Sequence, residues 1–222
     1  TFEGGVPAEH EVYFAITGFY KELENYTYNQ NLLTYFSGFP TAVVTPALYQ
    51  GFVSRPANGP GGEIKGVEGT LSLTGDLFSE YLSGFGLILS GSYTDSTVRQ
   101  DINNPASPIP GLSEKVANAT LYYEKAGFSA RVSSRYRSDY LANVNTFGPR
   151  GRNYRTVVAE TVVDAQVSYT FQSGPLENMS VILQAYNLTN EPLATYDQGD
   201  SRLVVDYQEY GVSYSVGVSY KF

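Results

Sequence analysis

The C-terminal stretch Gly211–Phe222 constrains the fold more than any other part of the chain. Val212, Tyr214, Val216, Val218, Tyr220 and Phe222 fall on one parity; Gly211, Ser213, Ser215, Gly217, Ser219 and Lys221 fall on the other. Side chains on a strand alternate faces, so this is a strand with one apolar face and one small, polar face. Serine and glycine are an unusual covering for a face that merely meets bulk water. They suit the inner wall of a barrel, which is wet and short of space. On the apolar face Tyr214 and Phe222 stand eight residues apart, roughly 20 Å of height at about 3.3 Å per residue and a tilt of about 40°. The apolar band of a membrane barrel between its aromatic girdles is about 25 Å tall. An amphipathic edge strand of a soluble β-protein is the competing reading of this stretch taken alone.

The aromatic spacing recurs. Phe85 shares a parity with Leu87, Leu89, Gly91 and Tyr93, and Phe128 with Ala130, Val132, Ser134 and Tyr136. Arg131, Arg135 and Arg137 lie opposite Phe128 and Tyr136, a solvated face in a soluble protein and a lumen lining in a barrel. Further strands are read over Glu11–Glu22, Ile64–Thr74, Ala117–Tyr123, Thr161–Phe171 and Met179–Ala185. The facing of Glu11–Glu22 is ambiguous, because apolar residues occupy both parities. Ile64–Thr74 sets Glu68 opposite Val67 and Leu71, and Thr161–Phe171 sets Asp164 opposite Val163, Val167, Tyr169 and Phe171. Lys125-Ala126-Gly127 reads as a tight reversal, and the Pro-rich 103–111 segment cannot sit inside a sheet.

About eight strands result, joined alternately by long and short connections, with residues 25–62 and 142–155 among the long ones. Long loops on one rim and short turns on the other is the outer-membrane barrel pattern. A sandwich gives alternating strands without requiring that asymmetry. No run of 18 apolar residues is present, so the sequence holds no transmembrane helix. The net charge of −8 argues against a nucleic-acid partner, and the absence of cysteine excludes disulfides and Cys-ligated metal.

Leu183-Gln-Ala-Tyr-Asn-Leu-Thr-Asn190 resembles the penultimate-strand signature of TonB-dependent receptors. Gly18-Phe-Tyr-Lys-Glu22, Gly66-Val-Glu-Gly69 and the terminal Tyr-Gly-x-Ser-Tyr-x-x-Gly-Val-Ser-Tyr-Lys-Phe are similar to segments of the same family. Leu112-Ser-Glu-Lys115, Tyr122–Phe128 and Arg135-Tyr-Arg-Ser-Asp-Tyr140 resemble its large proteobacterial branch linked to carbohydrate uptake. The resemblance implies an all-β antiparallel transmembrane barrel of 22 strands, of which residues 1–222 would form the C-terminal part, with the plug domain absent. It implies a Gram-negative outer membrane, TonB-dependent uptake of a scarce small molecule (oligosaccharide ahead of iron chelate), and contact with the TonB complex through the missing N-terminal part. It also implies that Phe222 belongs to a signal read by the barrel-assembly machinery, within outer-membrane lipid.

Glu68, Arg131, Arg135, Arg137 and Asp164 are therefore expected to face the lumen. Phe85, Tyr93, Phe128, Tyr136, Tyr169, Phe171, Tyr214, Tyr220 and Phe222 are expected in the girdles. Loop residues Tyr26, Tyr28, Tyr35 and Phe36 can stack on sugar rings, and Arg150, Arg152, Tyr154 and Arg155 can hold polar or anionic groups. These loops could equally pack on one another. His10 is expected at a rim. No catalytic constellation, cofactor motif or metal-ligand spacing is legible, so a transporter is expected rather than an enzyme. A self-contained small barrel acting as passive pore or surface-binding protein is the alternative.

Overall fold

The computed structural model describes residues 2–6, 12–36, 49–99, 105–142, 155–197 and 199–221. Fifteen strands follow one another: β1 (Phe2–Val6), β2 (Val12–Leu23), β3 (Tyr26–Tyr35), β4 (Gln50–Gly59), β5 (Gly61–Thr74), β6 (Phe85–Arg99), β7 (Lys115–Lys125), β8 (Phe128–Arg137), β9 (Tyr140–Leu141), β10 (Arg155–Val157), β11 (Glu160–Thr170), β12 (Met179–Tyr186), β13 (Leu193–Asp197), β14 (Val204–Gln208) and β15 (Ser213–Tyr220). Nine of them form one antiparallel wall in the order β1-β2-β5-β6-β7-β8-β11-β12-β15. The wall is open, with β1 and β15 at its edges. It holds one strand more than the sequence indicates. The Glu-Gly-Gly centre of β1 offers no alternation to read, and its pairing with β2 defines it.

The connections differ sharply at the two rims. At one end β7 and β8 are joined by Ala126 (φ 50°) and Gly127 (φ 81°). Both residues sit in the left-handed region, as a type I′ hairpin turn demands. At that same end two short 3-10 helices, Gly75–Leu77 and Glu80–Leu82, occupy the turn between β5 and β6.

At the other end the hairpins continue past the wall, and here the expectation of loops is corrected. Residues 25–62 are not a loop throughout, because β3 and β4 pair from Tyr26↔Gly59 to Tyr35↔Gln50. Their Asn, Gln and Gly content hid the strand signal, and Pro56 is tolerated because a two-stranded ribbon leaves an edge unpaired. Extensions of the β8/β11 and β12/β15 hairpins form a second sheet, β14-β13-β10-β9. The Pro-rich segment also touches the sheet, through a bridge from Ser107 to Val98.

Among the described residues only two hydrophobic side chains are buried, Val98 and Val157. A soluble domain of this length would bury most of its large apolar side chains. Here Leu121, Leu183 and Val216 are 53%, 51% and 73% exposed. Stability therefore resides in the ladder and in whatever covers the apolar face.

The corner where β5 leaves β4 is sterically closed. Gly61 has φ +86°, and a Cβ there would lie 1.8 Å from the Leu23 carbonyl oxygen. Gly61→Ala is expected to cost about 2 kcal/mol or more. Gly18→Ala, with nothing within 4 Å, should be silent. Heat-modifiable electrophoretic mobility of the two variants checks this: equal folded fractions would contradict it.

Candidate functional site

Residues directly opposite across a ladder share a face, so register assigns the side chains of the wall from β2 to β15 to one face or the other. The row Thr17↔Glu68↔Ser92↔Val116↔Arg137↔Glu160 crosses six strands. The row Tyr122↔Arg131↔Gln166↔Gln184↔Ser215 crosses five. Arg135 and Asp164 fall on this same face. It is polar over most of its area. The same register settles β2, placing Phe14, Ile16 and Tyr20 with the apolar set and Tyr13 and Phe19 with the polar set.

The polar face is knitted together. Gln184 Nε2 donates to Gln166 Oε1 at 3.0 Å, and Ser215 Oγ donates to Gln184 Oε1 at 3.1 Å. Thr120 and Ser133 share a hydroxyl bond, as do Thr170 and Ser180. Its arginines have partners. Arg135 Nη2 reaches Asp164 Oδ2 at 3.2 Å, and Arg131 lies 4.0 Å from Glu124. Arg137 does something the sequence did not disclose. Its guanidinium donates to Ser113 Oγ and to the Gly111 carbonyl, both at 2.6 Å, and stacks over the Tyr140 ring at 3.8 Å. It clamps the segment that returns from β6 to β7.

Asp164 and Asn187 form a node where the wall ends. The Asn187 amide donates to Asp164 Oδ1 at 3.0 Å. Its carboxamide accepts from the Glu191 amide at 2.8 Å and donates to the Glu191 and Gly211 carbonyls. Asn187 takes φ 56°, a left-handed conformation that asparagine tolerates better than most residues. Leu188 N and Thr189 Oγ1 bond back to Val163 O and Thr161 O. The Asn-Leu-Thr-Asn segment is thus a corner that ties β12 to β11 and reaches toward β15.

On the apolar face the aromatics form two belts, one at each end. Phe85 and Tyr123 meet at a tilt with ring centroids 4.6 Å apart, Tyr123 and Phe128 likewise at 6.1 Å, and Tyr169 and Phe171 meet edge-on at 5.1 Å. Tyr220, opposite Met179, closes this belt. Tyr93, Tyr136 and Tyr214 stand at the far end. Tyr20 and Tyr123 join the belts without having been singled out as girdle residues, though Tyr123 stands just before a reversal, where girdle residues belong.

The loop candidates are not gathered into one site. Tyr26, Tyr28 and Phe36 belong to one face of the β3–β4 ribbon and Tyr35 to the other. Burial pushes the Tyr26 phenol up from its ordinary pKa. Arg155 lies in the second sheet, 3.5 Å from Asp206. His10, Arg150, Arg152, Tyr154 and Phe222 lie outside the described residues.

A family model described as "TonB dependent receptor-like, beta-barrel" matches residues 1–188. No curated protein and no solved structure matches the chain.

Asn187→Ala is expected to lower stability by about 2 kcal/mol, from lost hydrogen bonds and the strained φ. Asn187→Asp keeps the acceptor for the Glu191 amide but sets a carboxylate oxygen against the Glu191 and Gly211 carbonyls, so it should recover only part of that loss. Urea unfolding of the protein in lipid vesicles separates the two, and equal midpoints for Ala and wild type would exclude the node's role.

Proposed function

Because the chain belongs to the TonB-dependent receptor-like β-barrel family, whose members take up small molecules across the Gram-negative outer membrane in a TonB-dependent way, we propose that its solute is an oligosaccharide. The observation that carries this is the state of the polar face. Its three arginines are paired with Glu124, Asp164 and the Gly111–Ser113 segment, Lys21 lies over the Phe19 ring, and hydroxyls and amides make up much of the remainder. A ferric chelate with negative charge would be better met by uncommitted cations. A polyhydroxyl solute needs paired donors and acceptors, which Ser, Thr, Asn and Gln supply.

In this reading the polar face, with Glu68, Arg131, Arg135, Arg137 and Asp164, lines the lumen, and the apolar face meets lipid. The aromatic belts sit at the two interfaces. In the sequence Phe222 shares the parity of Val218 and Tyr220, and in this reading it serves as an interfacial anchor read during assembly. Residues 1–222 form the C-terminal part of the barrel, and the TonB contact belongs to a plug-bearing segment outside them. An open wall of nine strands does not favour a self-contained barrel of eight.

Spin labels at Val163, Val167, Tyr169, Val216 and Val218 should respond to lipid-soluble relaxation agents. Labels at Arg131, Arg135, Asp164 and Ser215 should respond to water-soluble ones. A mixed response would sink the facing.

Cells expressing the receptor should import labelled neutral oligosaccharides and lose that import when either the receptor or TonB is deleted. Import of a ferric chelate with no import of sugar would overturn the substrate class.

A further inference from the structure

We propose that one face of the β3–β4 ribbon is a stacking platform for the pyranose rings of a neutral oligosaccharide. Register puts Leu33 opposite Phe52 and Tyr35 opposite Gln50. Asn31 and Ser54 form the next pair toward the wall on the same face. Tyr35 and Tyr49 bring their rings to 6.1 Å. Leu33, Tyr35 and Phe52 share this face and are all exposed, Tyr35 to 62%, while Tyr49 stands opposite Phe36 and meets Tyr35 at the end of the ribbon. Three exposed large apolar side chains on one face at the end of a ribbon make a patch that bulk water alone does not favour.

Charge identifies the occupant. Across β3 and β4 the single charged residue is Arg55, and its pairing with Gln30 puts it on the opposite face. In a chain of net charge −8, this face is electrically neutral. A neutral ligand with apolar C–H faces and a rim of hydroxyls matches it: the rings stack on aromatic π-faces, and the Gln50 carboxamide and Ser54 hydroxyl bond the rim. An acidic glycan or a ferric chelate finds no counter-charge there. Arg55 and the half-buried Tyr26 belong to the reverse face, so the platform is one-sided.

This assignment rests on the oligosaccharide reading above, and binding can be separated from import. In intact cells lacking TonB, short labelled malto-, cello- and xylo-oligosaccharides report surface binding alone. The paired substitution Tyr35→Ala with Phe52→Ala should weaken that binding about tenfold or more. Tyr35→Phe with Phe52→Tyr should retain it. Tyr35→Thr, which keeps a strand-forming residue, gives an independent value should the alanine pair lower surface levels. Wild-type affinity in Tyr35→Thr or in a well-inserted alanine pair overturns the platform while leaving sugar uptake standing; another hairpin or a partner protein then covers the patch. Absence of any neutral-sugar binding by the wild-type receptor overturns platform and substrate class together.

Discussion

A backbone amide or carbonyl in hydrocarbon has no water to bond, so a membrane-spanning sheet must satisfy these groups within its own ladder. The β2–β5 pairing runs from Val12↔Leu73 to Leu23↔Gly62, and β5–β6 from Gly61↔Arg99 to Thr74↔Gly86, without a break. Unbroken pairing fixes the register, and register fixes which side chains share a face. The separation of polar from apolar residues follows from the ladder. With two buried hydrophobic side chains among the described residues, nothing comparable to a packed core could impose that separation.

The polar face shows how a sheet carries charge without leaving it loose. Arg135 and Asp164 are diagonal neighbours on adjacent strands, and Asp164 also receives the amide of Asn187. One carboxylate thus balances a guanidinium and anchors the corner where the wall gives way to the second sheet. Arg137 is set between β8 and the 105–114 segment in a comparable way. Both groups hold the chain at the rim where the hairpins leave the wall.

Much of the wall was legible because parity is a strong signal over eight or more residues. The spacing Phe128 to Tyr136 spans β8 almost end to end, whereas Phe85 to Tyr93 marks only the first part of β6, which runs on to Arg99. What stayed hidden lacked alternation or depended on distant partners. β3 and β4 are written in Asn, Gln, Gly and Pro, and become strands by pairing with each other. β9 and β10 have two and three residues, and β10 is held by Thr156↔Tyr196, a partner no local window contains. The tyrosines read as one loop cluster were split by the pleat. Asn187 stood in a quoted motif, but its node needs Asp164, Glu191 and Gly211 together, which only the fold brings within reach.

The two-residue turn at Ala126–Gly127 bears on the order of assembly. Lys125 pairs with Phe128 across it, whereas Leu23 pairs with Gly62 across the whole β3–β4 excursion. Closing the longer span costs more chain entropy, and contacts distant in sequence form more slowly. The β7–β8 pair is therefore the cheapest seed in the wall, and neighbours can add to it by zipping from the short-turn rim upward. If β3 and β4 first pair with each other, they carry Leu23 and Gly62 together and shorten the closure that β2 and β5 must make. On that view the protruding ribbon is a folding splint before it is a surface.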